Sequence, residues 1–374
     1  MKIPFNKPYL TGKETSYIEQ AVRSGKISGD GIFTKKCHEF FEQRYGFRKV
    51  LLTNSCTDAL EMAAILLDIK DGDEVIVPSY TFVSTANAFV LRGANIVFAD
   101  SNDQNPNIDA DSIEPLITSK TKAIVVVHYA GIACDMDKIK AIAEKHGLYV
   151  IEDAAQSIDS YYEGKVLGSI GDLATFSFHE TKNVISGEGG MLAINNKSFA
   201  ERAEIIREKG TNRSAFFRGE IDKYGWVDIG SSFLPPDIVA AFLYAQLENI
   251  ENIQNRRKEI WQRYYTGLKE LEENCLIKLP QIPHYATNNA HMFYILCGEN
   301  ERDDLIQHLK KKEILAVFHY LSLHKSRFYH DKHDGRVLPN ADSYSENLLR
   351  LPFFYELEEN DQHMIIREIK DFYS

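Results

Sequence analysis

Tyr149-Val-Ile-Glu-Asp-Ala-Ala-Gln156 and, further along, Phe176-Ser-Phe-His-Glu-Thr-Lys182 are the stretches from which the rest of the chain can be read. In each, a short apolar strand ends in side chains able to do chemistry: Glu152 and Asp153 in the first, Ser177 and then Lys182 in the second. Ligands of open α/β sheets bind outside the carboxyl ends of the strands, so both endings point to one site. Taken singly, neither is decisive, since an acid there also serves as the N-cap of a following helix. A lysine is ordinarily a solvated surface residue. Lys182 stands apart because it follows an apolar strand and precedes Gly187-Glu-Gly-Gly190, where glycines permit close backbone approach to a ligand.

Outward from these stretches, short β-branched runs alternate with helical patterns up to about residue 200, the mark of parallel βαβ construction. Residues 74–77, 95–98, 123–127 and 149–151 read as buried strands, and 174–178 and 191–194 as two more bracketing the glycine-rich turn. Residues 59–67, 85–91 and 136–146 read as the helices between them. Beyond about residue 235 the pattern turns helical (237–251, 255–272, 302–312 and 359–372), with one strand-like patch at 292–296. Pro235-Pro236 opens the first of these helices, where proline is tolerated. The expected organisation is a large α/β domain over residues 1–235, with an extended N-terminal arm, and a smaller α+β domain over 236–374.

Composition narrows the function. The 374 residues are 44% apolar and 26% charged, ordinary for a chain with a buried core. With 43 Lys and Arg against 54 Asp and Glu, the net charge of -11 disfavours a nucleic-acid backbone as partner. No run approaches the roughly 18–20 apolar residues of a membrane span, and the N-terminus lacks the apolar stretch of a secretory signal. A cytoplasmic protein without a membrane partner is therefore expected. Five scattered cysteines with no metal-ligand spacing read as reduced thiols, and no metal is expected. No G-x-G-x-x-G follows an early strand, which argues against a nicotinamide dehydrogenase.

A third piece is Asn54-Ser-Cys-Thr-Asp-Ala-Leu60, which opens a helix. Helix N-termini bind phosphate through free N–H groups and the helix dipole, although Ser55 and Thr57 also suit plain capping. Tyr80-Thr81-Phe82, just after a strand, offers an aromatic ring. Together the pieces match the demands of pyridoxal 5'-phosphate (PLP): a lysine that forms an imine, a carboxylate that keeps the pyridine nitrogen protonated, a phosphate cup and a stacking ring.

At this point the chain resembles the DegT/DnrJ/EryC1/StrS sugar aminotransferases, fold-type I PLP enzymes built like aspartate aminotransferase. The resemblance spans essentially the whole chain. It rests on Gly72-Asp-Glu-Val-Ile-Val-Pro-Ser-Tyr-Thr-Phe82, His128-Tyr-Ala-Gly131 with Asp135-Met136-Asp137, and the stretches 152–156 and 177–182. It implies that Lys182 binds the cofactor and then shuttles a proton, and that Asp153 pairs with the pyridinium nitrogen. Gln156 would face the phenolic oxygen, Phe82 would stack on the ring, and Cys56, Thr57 and Ser177 would hold the phosphate. It further implies a homodimer with its active sites at the subunit interface. Ser232 stands where many members carry an asparagine that reaches the partner's cofactor phosphate.

A narrower likeness is to members that aminate dTDP-4-dehydro-6-deoxyglucose with L-glutamate, yielding dTDP-4-amino-4,6-dideoxygalactose and 2-oxoglutarate. It rests on His179-Glu-Thr-Lys-Asn183, Arg207-Glu-Lys-Gly-Thr-Asn-Arg-Ser214, Phe216-Phe-Arg-Gly219, Asp228-Ile-Gly-Ser-Ser232, Ala290-His-Met-Phe-Tyr-Ile295 and Ala316-Val-Phe-His-Tyr320. His319-Tyr-Leu-Ser-Leu-His324 carries Ser322 where the family has proline, in a loop expected to line the sugar pocket. His319, Tyr320 and His324 are therefore candidate sugar contacts. Lys209, Arg213 and Arg218 either meet the diphosphate of the nucleotide sugar or form a solvated basic loop. Trp226 and Trp261 read as packing residues, and His179 as a structural one.

Three rivals remain. Amination at C3 of a dTDP-3-dehydro-6-deoxyhexose would use the same cofactor motifs. A PLP-dependent sugar dehydratase would carry histidine in place of Lys182. A non-catalytic regulatory protein on this fold would be favoured by loss of Lys182 or Asp153, and both are present.

Overall fold

The β-branched runs build a seven-stranded sheet in the computed structural model, which describes residues 2–374. Helices α1 (Glu14–Arg23) and α2 (Ile32–Tyr45) come first. There follow β1 (Val50–Thr53), α3 (Cys56–Leu66), β2 (Glu74–Pro78), α4 (Val83–Val90), β3 (Asn95–Ala99), β4 (Thr121–Val127), α5 (Met136–His146) and β5 (Tyr149–Asp153). A short hairpin of β6 (Tyr161–Tyr162) and β7 (Lys165–Val166) leads to β8 (Leu173–Ser177), β9 (Gly190–Ile194), α6 (Ala200–Arg207) and α7 (Arg213–Phe217).

The strands lie in the order β1-β9-β8-β5-β4-β2-β3. Pairing is parallel from β8 through β5, β4 and β2 to β3. β9 runs antiparallel to both its neighbours, so the sheet is mainly parallel. Side chains alternate across it. Ile151, Val125 and Val77 pack beneath α3 and α4, whereas Val150, Val126 and Ile76 pack against α5 on the other face. Covering both faces is what a parallel sheet requires, and it leaves the strand ends as the place for a site.

Helices α1 and α2 were not among the expected elements, and α2 shows why. Its N-cap is Gly31, which has no side chain to cap with. The cap comes from Asp237, far along the chain. Its carboxylate accepts from the Thr34 N–H at 2.8 Å, the Thr34 hydroxyl at 2.7 Å and the Phe33 N–H at 3.3 Å. A Cβ on Gly31 would sit 2.4 Å from that carboxylate.

Asp237 opens α8 (Asp237–Leu247), which is followed by α9 (Ile250–Glu273), β10 (Tyr294–Leu296), α10 (Arg302–Lys311), β11 (Val317–Phe318), α11 (Pro339–Asn347), β12 (Leu348–Arg350) and α12 (Glu359–Phe372). The last three strands form an antiparallel sheet with β12 in the middle. β11 and β12, of two and three residues, are too short to show a period, and only the 292–296 patch was visible in the sequence. Helices α9, α10 and α12 cover this sheet through Ile260, Tyr264, Leu305, Leu309 and Ile365. Helix α8 buries Ala240, Ala241 and Leu243 in the core shared with α2 and Phe178, although it lies beyond residue 235. The N-terminal arm is extended, and it lies along the C-terminal part of the chain. The Ile3 N–H donates to Glu313 O, and the Leu315 N–H to Ile3 O.

Candidate active site

The ends of β5 and β8 place the decisive side chains. Glu152 and Asp153 are adjacent, so they point to opposite faces of the sheet and do different work. Glu152 is fully buried and accepts from the Gly168, Ile170 and Gly171 N–H groups at 2.8, 2.8 and 2.6 Å, with His128 Nε2 at 3.0 Å. It ties the 168–171 turn to the sheet and does not reach the cavity. Asp153 does. Its Oδ2 accepts from the Thr85 hydroxyl at 2.7 Å and its Oδ1 from the Ala155 N–H at 3.2 Å. Burial pushes Asp153 above the usual carboxylate range, and Thr85, Ala155 and the more weakly felt Lys182 oppose that rise.

Lys182 lines the same cavity, on the turn after β8 where its N–H donates to His179 O at 2.9 Å. Burial lowers the ammonium to about 8, although Cys56 and Asp153 both favour its charge. A lysine so poised is free amine far more often than a surface lysine, as imine formation requires. The Gly-rich segment after it serves packing. A Cβ on Gly190 would fall 2.3 Å from Ser55 C and 2.4 Å from Cys56 N, so β9 is pressed against the start of α3.

That helix start forms the next wall. Ser55 caps α3 by accepting from the Asp58 N–H at 3.0 Å, and the Thr57 hydroxyl donates to Ser84 at 2.9 Å. Ser55, Cys56, Thr57 and Ser177 all face the cavity. Phe82, the N-cap of α4, is 55% exposed and turns its ring into the cavity, 6.0 Å from the ring of Tyr320. Gln156 accepts from the Ala130 N–H at 2.6 Å and donates to the Tyr320 hydroxyl at 3.0 Å. His319 stacks on Tyr320 at 3.6 Å, and its Nδ1 lies 2.6 Å from the Tyr129 hydroxyl. The space these groups enclose is about 490 Å³.

Lys182, Asp153, Cys56, Thr57, Phe82, Gln156, Ser177, His319 and Tyr320 thus come together. Five other candidates do not line this cavity. Ser232 sits beside it, its carbonyl accepting from Asn54 Nδ2 at 2.9 Å. Lys209 follows α6 and donates its N–H to Ser231 O, Arg213 pairs with Glu208 at 3.3 Å, and Arg218 forks onto Glu220 and also reaches Glu204. His324 is buried, with Ser79 Oγ at 2.7 Å and Asp342 at 3.6 Å. Ser322 is buried as well and donates to Ala341 O at 3.0 Å. Trp261 packs against Phe293 as expected, but Trp226 is 83% exposed and is not a packing residue within this chain.

Thr85, His291 and Arg350 are among the contributors that were missed. Thr85 stands one turn into α4 after Phe82, a spacing that could have suggested it. His291 and Arg350 lie on the C-terminal part, on segments whose place at the cavity no local pattern announces.

The donor set fits PLP. Asp153 is a buried carboxylate held only by neutral donors, and so suits a protonated ring nitrogen. A helix N-terminus with hydroxyls suits a phosphate, and Phe82 offers a flat face. Fold and site together define a PLP-dependent enzyme of the α/β class. Comparison with known proteins then narrows it. The model of the DegT/DnrJ/EryC1/StrS aminotransferase family matches residues 8–370. An uncharacterized protein of Methanocaldococcus jannaschii is 34% identical over 377 residues, covering 98% of this chain and 97% of that relative.

Solved structures agree. The aminotransferase TlmJ of Streptoalloteichus hindustanus is 29% identical with a TM-score of 0.91, over 99% of this chain and 98% of that one. A Streptococcus pneumoniae protein described as a sugar aminotransferase, in its PMP form, is 28% identical with a TM-score of 0.91 over the same shares. A family member from Brucella abortus is 30% identical with a TM-score of 0.88, over 97% of this chain and 95% of that one. The chain belongs to the DegT/DnrJ/EryC1/StrS aminotransferase family, and is accordingly a PLP-dependent sugar aminotransferase. Among the described residues, no helix is long and apolar enough to cross a membrane.

Proposed function

We propose that this enzyme moves the amino group of L-glutamate to C4 of dTDP-4-dehydro-6-deoxyglucose, giving dTDP-4-amino-4,6-dideoxygalactose and 2-oxoglutarate. The observation that carries the reading is the convergence of Lys182 and Asp153 on one cavity beside the loop of His319 and Tyr320. PLP, when bound, supplies the carbonyl that accepts the amino group and the ring that stabilises negative charge at the substrate carbon. In the proposed assignment Asp153 holds the ring nitrogen protonated, Phe82 covers one ring face, and Cys56, Thr57 and Ser177 receive the phosphate. Lys182 Nζ takes the proton from the α-carbon of glutamate and, in the second half-reaction, returns one to C4 of the sugar. Gln156 and Tyr320, hydrogen-bonded to each other, line the same cavity as Lys182.

The proposed assembly is a homodimer in the cytoplasm. Ser232 and the basic residues Lys209, Arg213 and Arg218 are assigned to the site across the subunit interface, because none of them lines this chain's own cavity. The test is direct. Purified protein is incubated with L-glutamate and each keto sugar, and the nitrogen is located in the product by NMR, with Lys182→Ala as the inactive control. Nitrogen at C4 is expected; nitrogen at C3 overturns the choice of substrate.

A further inference from the structure

Ser322 and His324 belong to the loop expected to line the sugar pocket, yet neither lines the cavity, and both are buried. What Ser322 holds gives it another use. It follows Tyr320 by two residues, and Tyr320 does line the cavity. Its backbone lies at φ -59° and ψ 121°, and a proline ring fits that φ. Against the proline of the family pattern, then, the serine differs by one N–H and one hydroxyl. Each has a partner. The hydroxyl donates to Ala341 O at 3.0 Å, and the N–H donates to Ser345 Oγ at 3.3 Å.

Ala341 and Ser345 lie one turn apart on α11, so Ser322 grips one face of that helix. Helix α11 is in turn fixed to the main sheet. Asp100, the residue after β3, accepts from the Ala341 N–H at 2.8 Å and the Asn340 N–H at 3.2 Å, and the Tyr344 hydroxyl donates to Asn102 O at 2.9 Å. Beyond Ser322 the loop is pinned a second time. The Leu323 N–H donates to Ser79 O at 2.9 Å, and His324 Nδ1 lies 2.7 Å from Ser79 Oγ. Leu321, between Tyr320 and Ser322, is 63% exposed, so its side chain adds little hold of its own.

We propose that Ser322 is a positioning residue for the keto sugar: by gripping α11 it sets where His319 and Tyr320 meet the sugar, without touching the sugar itself. This rests on the reading that those two side chains face the keto sugar. The groups that serve both half-reactions, Asp153 and Lys182, stand on β5 and on the turn after β8, which Ser322 does not contact. Its loss therefore bears on the sugar step alone. A proline in its place would make neither bond to α11, and the loop would keep only its hold on Ser79.

The test follows each half-reaction of the PLP-loaded enzyme by cofactor absorbance, in wild type, Ser322→Ala, Ser322→Pro and Ser345→Ala. For Ser322→Pro the half-saturating concentration of keto sugar is expected to rise about 3- to 10-fold, the range for losing neutral hydrogen bonds. That of L-glutamate should stay as in wild type. The bond to Ser345 gives a sharper sign. Adding Ser345→Ala should weaken the sugar step further in Ser322→Ala, which keeps its N–H, and should add nothing in Ser322→Pro, which has none. If Ser322→Pro does not fold, Ser322→Ala and Ser345→Ala carry the test, each with a smaller rise. Amide hydrogen exchange reads the hold without turnover: residues 319–323 should exchange faster in the Ser322 variants, and α5 should not. An unchanged dependence on keto sugar in the folded variants overturns the proposal. So does equal weakening of both half-reactions, or a further loss on adding Ser345→Ala to Ser322→Pro. If wild type aminates at C3 instead, the substrate assignment fails, and this inference stands on the same rise measured with that sugar.

Discussion

Two neighbouring acids in this chain carry different loads, and the difference lies in what their carboxylate oxygens meet. Glu152 is saturated by three backbone N–H groups and His128, which makes it a fastener for a turn. Asp153 meets only the Thr85 hydroxyl and the Ala155 N–H and faces the cavity, which it shares with a lysine whose ammonium burial has lowered to about 8. That value gives a pH dependence. In the proposed role of Lys182 the free amine is the nucleophile, and it forms as the proton leaves. Capture of PLP by the cofactor-free protein should therefore accelerate as pH rises through about 8 and level off above it. A lysine left at its ordinary value, about 10.4, would keep gaining beyond pH 10. Stopped-flow absorbance across that range distinguishes the two. The aspartate and the lysine were both legible in the sequence, because each follows a short apolar run. Their shared cavity was not.

At the scale of elements, helices with local signals were found and those with distant ones were not. Helix α5 carries Asp135 as its N-cap and Gly147 at its end, both visible in the sequence, and its expected bounds match. Helix α2 begins at a glycine and borrows its cap from Asp237, which is buried and satisfied by three donors there. No window of sequence contains both halves of that arrangement. Removing it should be costly. Asp237→Ala is expected to destabilise by about 1–3 kcal/mol, since it leaves buried N–H groups unpaired at a helix start. Denaturant unfolding should show a lower midpoint with an unaltered slope; an unchanged midpoint would mean that α2 does not depend on this cap.

For the whole molecule, the end of α7 and the loop after it carry Phe217, Tyr224, Trp226 and Val227, each more than half exposed, on the segment that holds Lys209, Arg213, Arg218 and Ser232. Exposed apolar side chains on one segment are what an interaction surface would offer. The proposed homodimer gives it an occupant and brings Ser232 to the partner's site. Sedimentation velocity should give twice the mass of one chain, and Trp226→Asp should shift the protein toward monomer with loss of turnover. A wild-type protein that sediments as a monomer would sink this assembly.

The alternation of strands and helices, the strand-end acid, the lysine before its glycines and the polar opening of α3 were set by the order of residues, because each depends on neighbours within a turn or a strand. The tertiary structure alone brought β12 to the cavity and placed Arg350 beside Lys182. It also carried Asp237 to the start of α2 and laid the N-terminal arm against residues 313–315. Those contacts join segments far apart in the chain. What brings such segments together is the burial of apolar surface by the molecule as a whole, which acts without direction and leaves no local pattern to read.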